Sequence, residues 1–477
     1  MSTRSPASHI AEAAFDLWEC WASLAGLWWS RHGATRPAAE AGARLEALVA
    51  YARKASPFYR RHYARLPQAG FELRDIPPVN KALLMRHFND WSTDRRVRRA
   101  DVARFLADRT RVGDAFLGRY HVWKSSGTSG TPGIFVQDAH AMAVYEALVL
   151  AQLDMAALDS RGSARLVAGA GRSALVAATG DHFASVTSWH HISHEHPMAV
   201  TRVFSVLEPT ARLVAQLNEF QPSFIASYPS VLRLLAAEQD AGRLKIAPSL
   251  AWSGGEFLAS RTRAAIEAAL RCRVMNEYGA SECLSIAYGC RAGWLHVNSE
   301  WVIVEGVDDR GEPAAPGELS HTTLVTNLAN RVQPVIRYDL GDRIVSARGR
   351  CACGNPLPAI RVEGRRDAML ELRGAAGRSV RLPPLALSTV VEEAAGERRF
   401  QIAQVAPGRL RVRFDAHDAA QRARIGRRAC RALESYLIKQ SLEGVRVELD
   451  PAAPHLDKRS GKLHAVTVEL PRANAKR

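Results

Sequence analysis

The alternation of strand-like runs with helical patterns constrains the fold of this chain more than any other feature. Over residues 122–345, apolar runs rich in β-branched residues, such as 223–226, are followed by helical stretches, such as 230–238. This rhythm predicts α/β layers, because strands joined by helices form a sheet that the helices cover. At 301–304 and 319–325 the strand runs lie closer together, which predicts an antiparallel or barrel-like subdomain.

The pattern changes after Gly364. Residues 405–414 alternate like a strand, residues 419–439 have the period of one arginine-rich helix, and residues 445–449 again alternate like a strand. A chain of 477 residues is long enough for one large domain and one small one. We therefore expect the chain to end in a compact α+β region of about 110 residues.

The charge of the chain is strongly positive. The 64 Lys and Arg residues exceed the 48 Asp and Glu residues, which gives a net charge of +16 and favours polyanionic partners. Basic residues are dense at 95–99, which we interpret as a solvated helix face, and at 422–431. Because no helix-turn-helix or aromatic-interleaved basic motif accompanies them, nucleic acid is the weaker alternative to a phosphate-rich small molecule.

The most hydrophobic early stretch is 10–29. Glu12, Asp16 and Glu19 interrupt it, so we expect no membrane span. No secretory signal pattern precedes it, and seven cysteines, an odd number, argue against a disulfide scaffold, so we expect a cytoplasmic protein. The stretch has an apolar helical stripe that leaves two alternatives open: packing on its own domain, and a contact with a partner or with a second copy in a homodimer.

Three cysteines and one histidine have the spacing of a metal site. Cys290 and His296 form a Cys-x5-His pair, and Cys351 and Cys353 form a Cys-x-Cys pair. Three sulfur ligands and one imidazole make the closed tetrahedral set that is typical of structural zinc. Buried free thiols are the alternative.

The loop at 125–133 is rich in Gly, Ser and Thr. Its glycines let the backbone approach an oxyanion, and its hydroxyl and N–H groups can donate to that oxyanion. It is not a Walker loop, because no Gly-Lys-Ser/Thr follows at that spacing, and alone it could be a flexible loop. Further motifs follow in order at 252–256, 276–282, 337–343, 364–367 and 460–463.

The order and spacing of these motifs resemble the adenylate-forming superfamily of acyl-CoA ligases, luciferases and peptide-synthetase adenylation domains. Within it, the chain is most similar to the phenylacetate–CoA ligase branch, on the residues of 56–60, 227–230 and 351–354. The resemblance covers about residues 45–470 and implies an α/β fold. Residues 1–366 would form a large multi-layer αβαβα domain with a small β-barrel-like subdomain that binds the adenylate. Residues 367–477 would form a small, mobile α+β lid domain that carries the catalytic lysine.

The resemblance implies an ATP-dependent acid–thiol ligase. An aryl or arylacetic acid would attack the α-phosphate of ATP to form acyl-AMP, and coenzyme A would then take the acyl group. The implied cofactors are ATP, Mg²⁺, coenzyme A and structural Zn²⁺ on Cys290, His296, Cys351 and Cys353. The implied partners are a small carboxylic acid and an acyl acceptor.

The resemblance also implies a set of site residues. The ATP phosphates would lie on Ser125, Ser126, Gly127, Thr128, Ser129, Gly130 and Thr131. The rest of the nucleotide would contact Gly254, Gly255, Glu256, Tyr278, Gly279, Ser281, Asp342 and Arg365. Tyr278 would stack on adenine, Asp342 would accept both ribose hydroxyls, and Glu282 would bind Mg²⁺. Asp367 would be the hinge and Lys462 the catalytic cation, with Lys458 as the alternative.

Two positions depart from the pattern of the family. Thr131 stands where a lysine is usual, so charge compensation would come from Mg²⁺, Lys124 or nearby arginines, and Ala368 replaces a frequent second hinge acid. These departures leave open a relative that transfers the acyl group to an amine or a carrier-protein thiol. The cluster of His190, His191, His194 and His196 is interpreted as a loop that borders the acyl pocket or the acceptor channel, with a second metal site as the alternative.

Overall fold

In the computed structural model, the described residues begin at 37 and end at 470, with gaps. They are residues 37–125, 132–155, 171–179, 181–195, 200–365, 370–374, 377, 379–382, 384–395, 399–415, 418–456 and 463–470. The N-terminal stretch at 10–29, and with it the homodimer alternative, lies outside them.

Helices and strands alternate along the chain, which confirms the mixed α/β class. The helices are α1 (Pro37–Ala55), α2 (Pro57–His62), α3 (Lys81–Arg86), α4 (Phe88–Trp91), α5 (Arg99–Ala107), α6 (Ala139–Met155), α7 (Ala184–Glu195), α8 (Thr210–Phe220), α9 (Pro229–Asp240), α10 (Ser260–Leu270), α11 (Pro384–Ala395) and α12 (Ala419–Lys439). The strands are β1 (His121–Lys124), β2 (Ile134–Gln137), β3 (Ser173–Ala177), β4 (Thr201–Ser205), β5 (Phe224–Ser227), β6 (Leu250–Gly254), β7 (Arg273–Ala280), β8 (Cys283–Gly289), β9 (Leu295–Val297), β10 (Val302–Val307), β11 (Thr322–Asn327), β12 (Val335–Asp339), β13 (Asp342–Ser346), β14 (Ala359–Arg365), β15 (Leu370–Arg373), β16 (Ser379–Leu382), β17 (Phe400–Ala406), β18 (Arg409–Phe414), β19 (Arg446–Asp450) and β20 (Val466–Val468).

A nine-stranded sheet has the order β13-β14-β9-β8-β7-β6-β5-β3-β4. Strands β3 to β7 pair in parallel, whereas the pairs β7–β8, β8–β9 and β9–β14 are antiparallel. Helices α7 to α10 connect the successive parallel strands, because a parallel pair needs a crossover. Leu217, Ile225 and Ile266 of these layers are fully buried, so the helices and the sheet share one core.

The region after β9 forms a separate small sheet. Strands β10, β11 and β12 pair antiparallel, with Val304 opposite Val325 and Val325 opposite Tyr338. This confirms the antiparallel arrangement that the closely spaced strand runs predict. Its described strands form a three-stranded sheet.

The described residues divide into two compact units. The first contains residues 37–340 and 345–361, and the second contains residues 341–344 and 362–470. In the second unit, a sheet of order β19-β18-β17-β20 packs against α11 and α12, with Ile402, Val412 and Leu433 fully buried. Helix α12 has the bounds that the arginine-rich pattern predicts, and the Asp418 carboxylate caps it by accepting from the Gln421 N–H at 2.6 Å.

Two local predictions are wrong. Residues 405–414 are not one strand, because β17 and β18 pair antiparallel and Pro407-Gly408 forms the turn between them. The basic run at 95–99 is solvated but precedes the helix, since α5 begins only at Arg99. Arg96 instead forms an ion pair with Asp94 at 2.6 Å, a local contact that competes with helix formation.

Among the described helices, none combines the length and the apolar character that a membrane crossing requires.

Candidate active site and metal centre

The β7–β8 hairpin carries the motif at 276–282. Its register shifts between Tyr278 and Ala280, and a Cβ on Gly279 would lie 1.8 Å from the Leu284 carbonyl oxygen. Only glycine can occupy that position, because any side chain would overlap the facing backbone. The close approach places Ser281 and Glu282 at the turn of the hairpin.

Glu282 is held by two side chains from the small antiparallel sheet. The hydroxyl of Tyr338 on β12 donates to the Glu282 carboxylate at 2.7 Å, and the Asn327 side chain on β11 donates to the Glu282 carbonyl at 3.2 Å. Tyr338 is buried and Glu282 is half-buried. The motifs at 276–282 and 337–343, far apart in the sequence, therefore meet at one carboxylate.

The base of the Gly/Ser/Thr loop lies beside the same hairpin turn. The indole N–H of Trp123 on β1 donates to the Ser281 carbonyl at 2.8 Å. Ser125 and Gly133 close the loop, because the Ser125 N–H donates to the Gly133 carbonyl and the Gly133 N–H donates to the Ser125 hydroxyl, both at 2.8 Å. Ser125 thus has a structural contact, and the phosphate-loop residues Ser126 to Thr131 lie outside the described residues.

Lys124, one of the candidates for compensating phosphate charge at the loop, has an acidic partner of its own. Its ammonium forms an ion pair with Asp181 at 2.6 Å, and both side chains are largely buried. The charge of Lys124 is therefore already balanced inside the protein.

The turn at 254–256 follows β6 and is tied to a helix. Gly255 has a φ of +77°, a left-handed conformation that favours glycine. The Glu256 carboxylate accepts from both the N–H and the hydroxyl of Ser230 at 3.1 Å, at the first turn of α9. A carboxylate is stabilised there by the positive end of the helix, so Glu256 fixes the turn.

Glu277 is a half-buried acid whose role the sequence does not reveal. Its carboxylate accepts from the Trp252 indole at 3.0 Å and from the Ser285 hydroxyl at 2.5 Å. Burial raises the pKa of Glu277 to about 7, and the two hydrogen bonds oppose this rise. The sequence motif contains Glu277, but only the pairing of β6, β7 and β8 reveals its surroundings.

The two ribose candidates pair with each other in the second unit. An Arg365 guanidinium N–H donates to the Asp342 carboxylate at 3.2 Å, and the arginine side chain is half-exposed. Gly341, with a φ of +75°, forms the turn before Asp342. The hinge candidate Asp367 and both lysine candidates, Lys458 and Lys462, lie outside the described residues.

The metal candidates come together from three parts of the first unit. Cys290 follows β8, His296 lies on β9, and Cys351 and Cys353 lie in the segment between β13 and β14. Their ligand atoms all lie within 4.8 Å of one another. The Cys290 and Cys351 sulfurs are 3.7 Å apart, and the His296 Nε2 atom is 3.2 Å from the Cys353 sulfur.

This geometry suits a tetrahedral ion. Sulfurs bound to zinc at about 2.3 Å are separated by about 3.8 Å along a tetrahedral edge, close to the 3.7 Å between Cys290 and Cys351. The Leu357 carbonyl lies 3.0 Å from the His296 Nδ1 atom, a contact that orients Nε2 toward the sulfurs. Burial lowers the pKa of His296, which favours the neutral imidazole that a metal needs.

Three of the four clustered histidines, His190, His191 and His194, lie on a helix, so the interpretation of a loop is wrong for them. His190 and His191 lie on α7. The His191 ring is buried and contacts the His121 ring of β1 with centroids 4.2 Å apart. His196 lies outside the described residues, as does the side chain of His194.

The overall fold has solved counterparts. Two structures of 2-hydroxyisobutyryl-CoA ligase in the postadenylation state, one with 2-HIB-AMP and one with R3-HIB-AMP, align with TM-scores of 0.63 and 0.62. Their sequence identities are 22% and 20%, and each alignment covers 90% of this chain and 89% of the other. The chain therefore shares the overall fold of these two ligase structures.

Comparison with curated proteins adds two relatives that are similar in sequence. A phenylacetate–coenzyme A ligase of Thermus thermophilus is 27% identical over 346 residues, 69% of this chain and 71% of the relative. Protein CapK of Staphylococcus aureus is 26% identical over 133 residues, 28% of each chain. No family model matches the chain. The chain is thus similar in sequence to a phenylacetate–coenzyme A ligase over about two thirds of its length.

Proposed function

We propose that this protein uses ATP to convert a carboxylic acid into acyl-AMP and then transfers the acyl group to coenzyme A. The phenylacetate–coenzyme A ligase relative supports this activity and suggests an aryl or arylacetic acid. A structure of 2-hydroxyisobutyryl-CoA ligase that holds 2-HIB-AMP and CoA has the same fold, with a TM-score of 0.53 at 20% identity.

The hydrogen bond between Tyr338 and Glu282 is the observation that carries this proposal. It joins two motifs 56 residues apart and orients a half-buried carboxylate at a hairpin turn. Trp123 attaches the same turn to the strand that leads into the Gly/Ser/Thr loop. A carboxylate beside a phosphate-binding loop is where a nucleotide-bound Mg²⁺ is expected.

In the first half-reaction, an oxygen of the substrate carboxylate would form a bond to the α-phosphorus as the bond to the pyrophosphate oxygen breaks. The loop residues Ser125 to Thr131 would hold the departing phosphates, and Glu282 would hold Mg²⁺, which supplies charge compensation when bound. Tyr278 would support adenine, while Asp342 and Arg365 would bind the ribose and phosphate.

In the second half-reaction, the thiolate of coenzyme A would attack the acyl carbonyl carbon and AMP would leave with the bonding electron pair. We propose that Lys462 serves the adenylation step only and that Asp367 is the hinge between the two steps. The lid domain would then comprise residues 367–477.

Structural zinc on Cys290, His296, Cys351 and Cys353 is part of the proposal. A metal there would attach the end of β8 to the segment between β13 and β14. The test is elemental analysis of the desalted protein, with Cys351→Ser as the variant and Cys430→Ser as the control. Less than about half an equivalent in the folded wild-type protein would reject zinc.

The activity is tested by ATP–pyrophosphate exchange over aryl, arylacetic, fatty, short hydroxy and amino acids, followed by transfer to CoA, an amine or a phosphopantetheinyl carrier. We expect exchange with an aryl or arylacetic acid and transfer to CoA. Lys462→Ala should abolish exchange while the variant still consumes preformed acyl-AMP. Transfer to an amine or a carrier protein, with no turnover of CoA, would show that CoA is not the acceptor. Binding of DNA by a protein that shows no ATP–pyrophosphate exchange with any acid would refute the proposal that the protein is an enzyme.

A further inference from the structure

A buried glutamine in the second unit has every hydrogen-bonding position of its amide occupied. Gln401 lies on β17 and is only 2% exposed. Its Nε2 atom donates to the carbonyls of His455 and His464, both at 3.2 Å. Its Oε1 atom accepts from the His455 N–H at 3.2 Å and from Arg413 at 3.0 Å. The amide thus uses both donors and both acceptor positions.

Arg413 fixes which way this amide points. It lies directly opposite Gln401 on β18 and is buried. An arginine can only donate, so the amide oxygen must face Arg413 and the amide nitrogen must face the two carbonyls. Asp450 and Glu469 accept from Arg413 at distances between 2.6 and 3.0 Å, and these bonds hold the guanidinium in place.

The two carbonyls that Gln401 binds lie on either side of residues 457–462. His455 precedes this segment and His464 follows it, and Leu456 and Leu463 form an antiparallel bridge between the two flanks. We call residues 455–456 and 463–464 the neck of the segment. The segment between the flanks contains Lys458 and Lys462 and lies outside the described residues.

We propose that Gln401, oriented by Arg413, is a positioning residue for adenylation: it joins the two sides of the neck and so sets where the lysine segment leaves the sheet. The inference rests on the proposed function, because it assumes that a lysine of this segment acts on the α-phosphate. A small displacement of such a group lowers the rate of the chemical step more than it affects substrate binding.

Gln401→Glu is the sharpest variant, because it keeps the size of the side chain and the acceptor for Arg413 but removes both N–H donors to the neck. Gln404→Glu is the matched control. Gln404 lies on the same strand, is 3% exposed, and donates at 2.6 Å to the Glu371 carbonyl, which lies outside the neck. Both variants lose bonds to a backbone carbonyl, and only one of them loses bonds to the neck.

For activity, we expect Gln401→Glu to lower the kcat of ATP–pyrophosphate exchange by about 10- to 100-fold, with the KM values for ATP and acid changed by less than about twofold. Transfer from preformed phenylacetyl-AMP to CoA should stay within about twofold of wild type, as should every rate of Gln404→Glu. Equal losses in the two variants, or in both half-reactions, would overturn the proposal.

Hydrogen–deuterium exchange tests the neck without any assay of activity. In Gln401→Glu, peptides that contain the neck should lose protection, whereas β17 and α12 should keep it, as should the neck in Gln404→Glu. An unchanged neck would overturn the inference, whatever the kinetics. If the neck loosens and no acid supports exchange in the wild-type protein, the proposed function fails instead. If Gln401→Glu slows exchange but Lys462→Ala does not, another residue of the segment is the catalytic cation.

Discussion

Each compact unit contains a buried arginine. The acids that neutralise the two arginines differ in how far they are exposed to water. Arg337 of the first unit forms two 3.0 Å hydrogen bonds to Glu305 and donates to the carbonyls of Arg74 and Ile76. Arg413 of the second unit faces two carboxylates, those of Asp450 and Glu469. Both arginine side chains are 5% exposed.

The two networks differ in how deeply the carboxylates that face the arginine are buried. Glu305 is 13% exposed, and its burial raises its pKa although Arg337 opposes the rise. Of the two acids that face Arg413, Asp450 is 14% exposed, about as much as Glu305, but Glu469 is 36% exposed, so water can solvate Glu469 without the arginine. We infer that the Arg337 network contributes mainly to stability, whereas the Arg413 network contributes more to the position of the neighbouring Gln401. Arg337 is followed in the sequence by Tyr338, which contacts Glu282, and Arg413 contacts Gln401, which binds the neck of the lysine segment.

The largest expected effect is the loss of Arg337. Arg337→Met should lower the free energy of unfolding by about 3–5 kcal/mol, because it leaves Glu305 buried without its cation. Urea unfolding at pH 7 measures this, with Arg310→Met in an exposed turn as the control. If Arg337→Met lowers the free energy of unfolding by less than Arg413→Met does, the inferred difference between the two arginine networks is wrong.

Arg413→Met should be less destabilising, by about 2–3 kcal/mol, because the partly exposed Glu469 regains water and Asp450 keeps its hydrogen bond from the Ala452 N–H. It should also slow ATP–pyrophosphate exchange, since Gln401 loses the donor that orients its amide. Unfolding and exchange are measured on the same preparations. If the rate of exchange falls only in proportion to the folded fraction, Arg413 has a purely structural role.

Glu277 differs from the acids of both arginine networks, because its described hydrogen bonds come from two uncharged groups, the Trp252 indole and the Ser285 hydroxyl. Burial raises its pKa from 4.5 to about 7, so the folded state binds a proton that the unfolded state has released between these values. Stability should therefore fall as pH rises from about 4.5 to 7, by on the order of 1–3 kcal/mol.

The check is urea unfolding of wild type and Glu277→Gln from pH 5 to 8. The variant should lack this decline and gain stability relative to wild type as pH rises. Glu312→Gln, on the surface, should follow wild type. A constant difference between Glu277→Gln and wild type at every pH would show that Glu277 titrates normally.

Tyr338 follows Arg337 in the sequence and gives the smallest expected loss of stability. Tyr338→Phe should lower the free energy of unfolding by about 1 kcal/mol, because it removes one hydrogen bond to Glu282. Exchange should then need more Mg²⁺, since the carboxylate is no longer oriented. The control is Tyr59→Phe, whose buried hydroxyl donates to the Pro334 carbonyl at 2.8 Å. An equal Mg²⁺ requirement in both variants would remove Tyr338 from the site.

Local patterns predicted much of the fold. The period of residues 419–439 predicts α12 because helix formation there depends on one apolar face and a capping Asp418. The strand-helix alternation predicts the parallel sheet for a similar reason. The error at 405–414 has a local cause as well, since the strand pattern continues on both sides of Pro407-Gly408 and the turn interrupts it without changing its alternation.

The sequence by itself determined the α/β class, the order of the motifs and the identity of the three cysteines and one histidine, because these depend on composition and on spacing along the chain. The tertiary structure decided which side chains meet. The contacts of Tyr338 with Glu282 and of Gln401 with His464 join residues 56 and 63 positions apart. Such contacts depend on strand order and register, which follow from the packing of the whole sheet and not from any local period.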